Sequence, residues 1–253
     1  MTTKPPVSAP PLSWLTKEIS ARMIEKLSWV RIDPKHCWMS EFSLALKKRF
    51  FAAQFDCLVD FPGLGLWQGI KRFFSSQKIG GQVTLDPEKH RAKYDLIWSN
   101  LELHRCPDIN HQIRVWRQCL GREALLMFSY LGPDSGRELT KFFYPEDLLV
   151  APSAIDMHDV GDFLLQARFA EPVMDMEYLT LEYARPELLI QDALALGLIR
   201  EGACVRGGVN MPPEFSITLE IIYGHAWTPA IELAREVDGQ AIIQVDQIIR
   251  QKS

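Results

Sequence analysis

The run ALLMFSYL at 124–131 is almost wholly apolar. A strand with one solvated face would alternate apolar and polar side chains, so this run predicts a central strand covered on both faces. Such a strand needs layers above and below it, and the sequence before it supplies them. Trp14, Leu15, Ile19, Met23, Ile24 and Leu27 recur at three-to-four spacing and predict an amphipathic helix over 13–28. Trp29-Val30-Arg31-Ile32 reads as a short buried strand stopped by Pro34. A second helix is expected from Ser40 as N-cap through Phe51, then a strand over 55–60, a break at Pro62-Gly63 and a helix over 64–76. Strands over 80–85 and 94–99 and a helix over 108–120, capped by Gly121, complete the alternation.

Strand and helix patterns that alternate in this way imply βαβ units and a mostly parallel sheet. The second half changes character. A helix is expected over 158–168, a long strand over 173–183, a helix over 186–197 and a strand over 215–221, whose clean alternation suits an antiparallel partner. The tail, 229–253, fits a helix or a closing strand. With 253 residues, 47% of them hydrophobic, the chain can bury one sizeable core, so a flexible Pro-rich leader over 1–12 and a single domain over 13–253 are expected.

A net charge of -4 argues against a broad nucleic-acid footprint, and Lys47-Lys48-Arg49 reads as a solvated helix face. No stretch approaches the ~18 uninterrupted apolar residues of a membrane span. Cysteines at 37, 57, 106, 119 and 204 form no CxxC pair, so neither a metal site nor a disulfide framework is expected, and a cytoplasmic location fits. Gly63-Leu64-Gly65 lacks the third glycine of GxGxxG and Gly207-Gly208 stands alone, so both read as turns. No GxSxG elbow occurs.

Five phrases carry a resemblance: YDLIWSNLELH at 94–104, VWRQCL at 115–120, LLMFSYLGPDSGREL at 125–139, MHDVGDFLLQARFAEPVMDMEYLTLEY at 157–183 and ITLEIIYGHAW at 217–227. In this order they are similar to the class I S-adenosylmethionine (SAM) methyltransferases of biotin synthesis that methylate malonyl-carrier protein, and to relatives associated with mitochondrial complex I assembly. The resemblance implies an α/β, Rossmann-like, seven-stranded sheet, mostly parallel with the last strand antiparallel and helices on both faces. It also implies SAM as cofactor and an acyl-carrier protein as partner.

Residue by residue, the resemblance implies cofactor-facing roles for Asp60 (ribose hydroxyls), for Asp86 (adenine amine), and for Ser99 and Asn100 near the transferred methyl. Each has a plainer reading: Asp60 as a strand end beside a turn, Asn100 as a strand terminator bonded to local backbone. His104 and His158 are the weak acid-base candidates, with Asp159 and Asp162 beside His158, although capping explains that segment equally well. Gly224-His225-Ala226-Trp227 reads as architecture. The family's first strand runs into a GxGxG-type turn, because only residues without a β-carbon let backbone approach the cofactor closely. The stretch taken to correspond, Ile32 to Trp38, holds no glycine and includes Pro34, Lys35, His36 and Trp38. The expectation is a diverged, non-catalytic methyltransferase-like scaffold that is defective in SAM binding, so that no cofactor is expected, with an acyl-carrier protein or another protein of the same pathway as its partner. The alternative is an active SAM-dependent methyltransferase acting on a carboxylate such as malonyl-carrier protein.

Overall fold

The computed structural model of the protein describes residues 13–41, 43–58, 79–82, 85–149, 155–207, 211–212, 214–230, 235–237 and 240–242. One mixed sheet organises them, in the order β3-β2-β1-β4-β5-β7-β6. Its strands are β1 (His36–Met39), β2 (Gln54–Cys57), β3 (Ile79–Gln82), β4 (Tyr94–Ser99), β5 (Leu120–Leu131), β6 (Ala170–Tyr183) and β7 (Phe215–Trp227). The first five pair in parallel, and β7 runs antiparallel to both β5 and β6. In the tail, β8 (Arg235–Val237) and β9 (Gln240–Ile242) form a separate antiparallel pair.

The helices are α1 (Ser13–Leu27), α2 (Leu44–Arg49), α3 (Pro87–His90), α4 (Ile109–Cys119), α5 (Met157–Gln166) and α6 (Pro186–Ala195). Two clusters line the sheet's faces, separated by the strand period of two. On one face Leu96, Trp98, Leu125 and Met127 pack with α1, α2 and α6. On the other, Ile97, Leu126, Phe128 and Tyr130 pack with α4 and α5. The central run 124–131 is therefore covered twice, as its apolarity requires. Helix α1 places Leu15, Ile19, Met23 and Leu27, all fully buried, on one stripe, and burying each such side chain contributes about 1.5–3 kcal/mol.

Several expectations move. Residues 29–32 form no strand: Trp29 is 84% exposed, and the first strand begins at His36. Pro34 thus precedes the strand, and the amides of Lys35 and His36 are held by the Asp95 carboxylate (2.8 and 2.9 Å). The cap of α2 is Ser43, whose hydroxyl accepts from Leu46 N, and the helix is only six residues long. Lys47 is 3% exposed, because the short helix turns it against the protein, so the basic run is not a solvated face throughout. Gly121 lies inside β5, which starts at Leu120, the C-cap of α4. β7 extends well past 221, to Trp227, because its register continues along both β5 and β6. Residues 1–12, 59–78 and 243–253, and with them Pro62, Gly63 and Gly65, lie outside the described residues, as does Gly208.

Candidate functional site at the β1/β4 edge

In a doubly wound sheet, ligands bind beyond the carboxyl ends of the strands, where successive connections leave to opposite faces. Here that point lies between β1 and β4. After β1 the chain passes into α2, whose Leu46 packs on one face, and after β4 it passes into α4, whose Ile113 and Trp116 pack on the other. The β1 turn is Ser40 to Ser43. The turn after β1 therefore begins two residues beyond the stretch 32–38, all of which precedes β1 or lies within it, and it too contains no glycine.

Asn100, 1% exposed, gathers this edge. Its backbone N–H donates to Ser40 Oγ (3.1 Å), and Nδ2 donates to Glu41 Oε1 (2.6 Å) and to the Thr16 carbonyl on α1 (2.9 Å). Its Oδ1 accepts from Ser129 Oγ on β5 (2.8 Å), and Ser129 in turn takes Leu101 N through both its hydroxyl and its carbonyl (3.0 Å each). Leu101 is held at φ 54°, a left-handed conformation costly for a branched side chain. The backbone is thus bent sharply where β4 ends, with α1, the turn after β1 and β5 all tied to the one amide side chain.

Glu41 sits in a surrounding that disfavours charge. Burial pushes its carboxyl up to about 7, against the Asn100 hydrogen bond that lowers it, and the nearby Glu102 carboxylate raises it further. Glu102 is itself raised by burial. Ser99, 1% exposed, leaves its hydroxyl without a partner among the described residues.

The other candidates fall elsewhere. Asp60 lies outside the described residues. Asp86 caps α3, accepting from Glu88 N (3.0 Å) and pairing with Lys89 (3.1 Å), and these contacts, Lys89 first, lower its carboxyl. His104 is a strut: Nε2 bonds the Leu196 carbonyl after α6 (3.0 Å) while Nδ1 accepts from Leu131 N at the end of β5 (3.3 Å). Burial pushes this imidazole down to about 4, so it stays neutral near pH 7. His158 is exposed in the first turn of α5, where Asp156 caps its N–H (2.7 Å). No hydrogen bond or ion pair among the described residues joins the two histidines.

Among the described residues no group of three His, Cys, Asp or Glu side chains could hold a metal, and no helix is long and apolar enough to cross a membrane. A cavity of about 680 Å³ between α1 and the β7/β6 edge includes His225, Trp29 and Met127, and both its cations are paired within it, Arg22 with Glu18 and Glu177 and Lys26 with Asp175. The structure brings Ser40, Glu41 and Ser129 to Asn100; of these four the sequence singled out Asn100 as a candidate site residue and Ser40 only as a helix cap. A Ser-Glu-Phe-Ser tetrapeptide signals only a helix start.

No family model matches the chain. A malonyl-[acyl-carrier protein] O-methyltransferase from Gallionella capsiferriformans is 33% identical over 259 residues, covering 91% of this chain and 89% of the relative. The malonyl-[acyl-carrier protein] O-methyltransferase 1 of Coxiella burnetii is 29% identical over 261 residues, 92% of this chain and 88% of its own. Among solved structures, the YcgJ protein of Bacillus subtilis superposes with a TM-score of 0.53 at 9% identity, covering 83% of this chain and 99% of that one, a likeness of fold alone. By its identity to these relatives along nearly its whole length, the chain belongs to the malonyl-[acyl-carrier protein] O-methyltransferase family.

Proposed function

We propose that this chain is a diverged member of its family that has lost ordinary SAM binding and works, as a single domain over 13–253 in the cytoplasm, as a binding or regulatory scaffold. Its partner is an acyl-carrier protein or another protein of the same pathway. The observation that carries this reading is the bridge from Glu41 to Asn100 across the β1/β4 edge, in a turn without glycine. A ligand is brought close to the backbone amides of such a turn most readily where glycine stands. Here the turn presents Ser40, Glu41 and Ser43, and Asn100 is committed to protein partners. These residues do not fit the cofactor in its usual placement, and no chemical step is derived through it.

Titration calorimetry with SAM tests the reading. No saturable heat is expected, and micromolar one-site binding would sink it. The second reading is an active methyltransferase acting on a carboxylate such as malonyl-carrier protein. It is favoured by 33% identity to the Gallionella relative across 91% of the chain. A carboxylate acceptor needs alignment more than a general base, so that reading does not depend on an assigned catalytic acid or base. Transfer of labelled methyl to malonyl-carrier protein above background would establish that second reading.

A further inference from the structure

The hydrogen-bonding capacity of Asn100 is the starting point. An asparagine amide offers two N–H donors and one carbonyl oxygen. Both kinds of group are engaged: Nδ2 serves Glu41 Oε1 and the Thr16 carbonyl, and Oδ1 accepts from Ser129. Of these partners, Thr16 and Ser129 belong to regular elements that pack the core. Glu41 does not. Its carboxyl reaches from the turn after β1 to the end of β4, with no ion pair among the described residues and a second carboxyl, Glu102, as its electrostatic neighbour. A partly buried acid with one hydrogen bond and no counter-ion costs stability. It is a poor structural strut and an effective space-filler.

We propose that Glu41 is a tethered occupant of the β1/β4 crevice, its side chain standing where the amino-acid end of an adenosyl thioether ligand would lie, so that truncating it opens the crevice. The inference rests on the reading that the chain does not bind SAM ordinarily. It locates the obstruction in one removable side chain instead of the whole glycine-free turn. Truncation frees one Nδ2 hydrogen of Asn100 and the volume of a carboxymethyl group, while Ser40, Ser43 and Ser129 keep the edge in place.

The test is calorimetric titration of the full chain with S-adenosylhomocysteine, comparing wild type, Glu41→Ala and Glu41→Gln, with Glu41→Ser as a second truncation should the alanine variant fold poorly. Wild type is expected to show no saturation up to about 1 mM, and the truncations to bind at least about tenfold more tightly, a gain of ~1.4 kcal/mol. The glutamine variant, which keeps the volume and a carbonyl acceptor for Asn100, is expected to behave as wild type. Truncations with unchanged circular dichroism and no gain in binding would overturn the proposal while leaving the underlying reading intact. Equal gains in the alanine and glutamine variants would also overturn it, because charge and not occupancy would then be the barrier. Tight binding by wild type would overturn the underlying reading itself.

Discussion

Gly224 on β7 is the position where the structure makes the strongest claim on a single methyl group. A β-carbon built there would stand 2.2 Å from Phe128 Cζ and 2.7 and 2.8 Å from its two Cε atoms, distances that real β-carbons do not show. The register puts Gly224 directly opposite Phe128 on β5. The ring cannot retreat: it is fully buried, 5.9 Å from Trp116 and 6.2 Å from Tyr130 between ring centroids. Overpacking in a core of this kind costs about 1–3 kcal/mol, and the closeness of the clash places Gly224→Ala near the upper end. At roughly 2–4 °C per kcal/mol for a chain of this size, the melting temperature is expected to fall by about 5–10 °C. Two controls sharpen the assay, which is urea or thermal unfolding followed by circular dichroism. Gly121→Ala, whose nearest neighbours would be 3.6 and 3.7 Å away, is expected to change stability by less than about 0.5 kcal/mol. In a Phe128→Leu background, which removes the end of the ring, Gly224→Ala is expected to cost less than half as much, a coupling of about 1 kcal/mol or more. A cost below about 0.5 kcal/mol in the wild-type background, or the same cost in both backgrounds, would refute the argument.

His104, with its pKa pushed down to about 4 from an ordinary 6.5, binds protons more readily when unfolded, so its contribution to stability is complete above pH 6.5 and is lost as pH falls toward 4. The loss amounts to about 3 kcal/mol at most, and denaturant titrations of His104→Gln at several pH values are expected to show that much less acid sensitivity. Glu41 runs the other way: with its pKa raised to about 7, its contribution is complete below pH 4.5 and is lost as pH rises through 7. Glu41→Gln is therefore expected to gain stability over wild type at pH 8 and not at pH 4.5. The buried Asp56 carboxylate accepts from Lys93 Nζ (2.6 Å) and Tyr94 Oη (2.9 Å). Lys93→Met, which leaves that charge with the phenol alone, is expected to cost about 1–3 kcal/mol in urea unfolding, discounted because Lys93 is partly exposed.

What was legible in the sequence was what local pattern controls. The strand at 94–99 and the apolar run at 124–131 declared themselves because their side chains meet core on both faces, and α1 did so through its four-residue stripe. The placement of β1 was not local. Trp29-Val30-Arg31-Ile32 has the better strand composition, but His36-Cys37-Trp38-Met39 wins because it pairs with β2 on one side and β4 on the other, and because Asp95 fastens the amides at its start. Tertiary hydrogen bonding overrode propensity there. That shift changes the meaning of the missing glycines. Pro34 and Lys35 lie before β1 and His36 at its start, away from the carboxyl end where a ligand of this fold would sit, and of the four bulky residues in that stretch Trp38 alone comes near that end. The obstacle we propose is Glu41. Its partner Asn100 is 59 residues away, and no window of sequence joins them. Asn100 could be found, because it ends a recognisable strand. Glu41 could be found only once the order β1-β4-β5 was known, since that order brings Glu41 and Ser129 to the side-chain amide of Asn100 and Ser40 to its backbone N–H. The loss of one ligand's place and the presence of another group in it are therefore different claims, and only the second names a side chain whose removal can be tested.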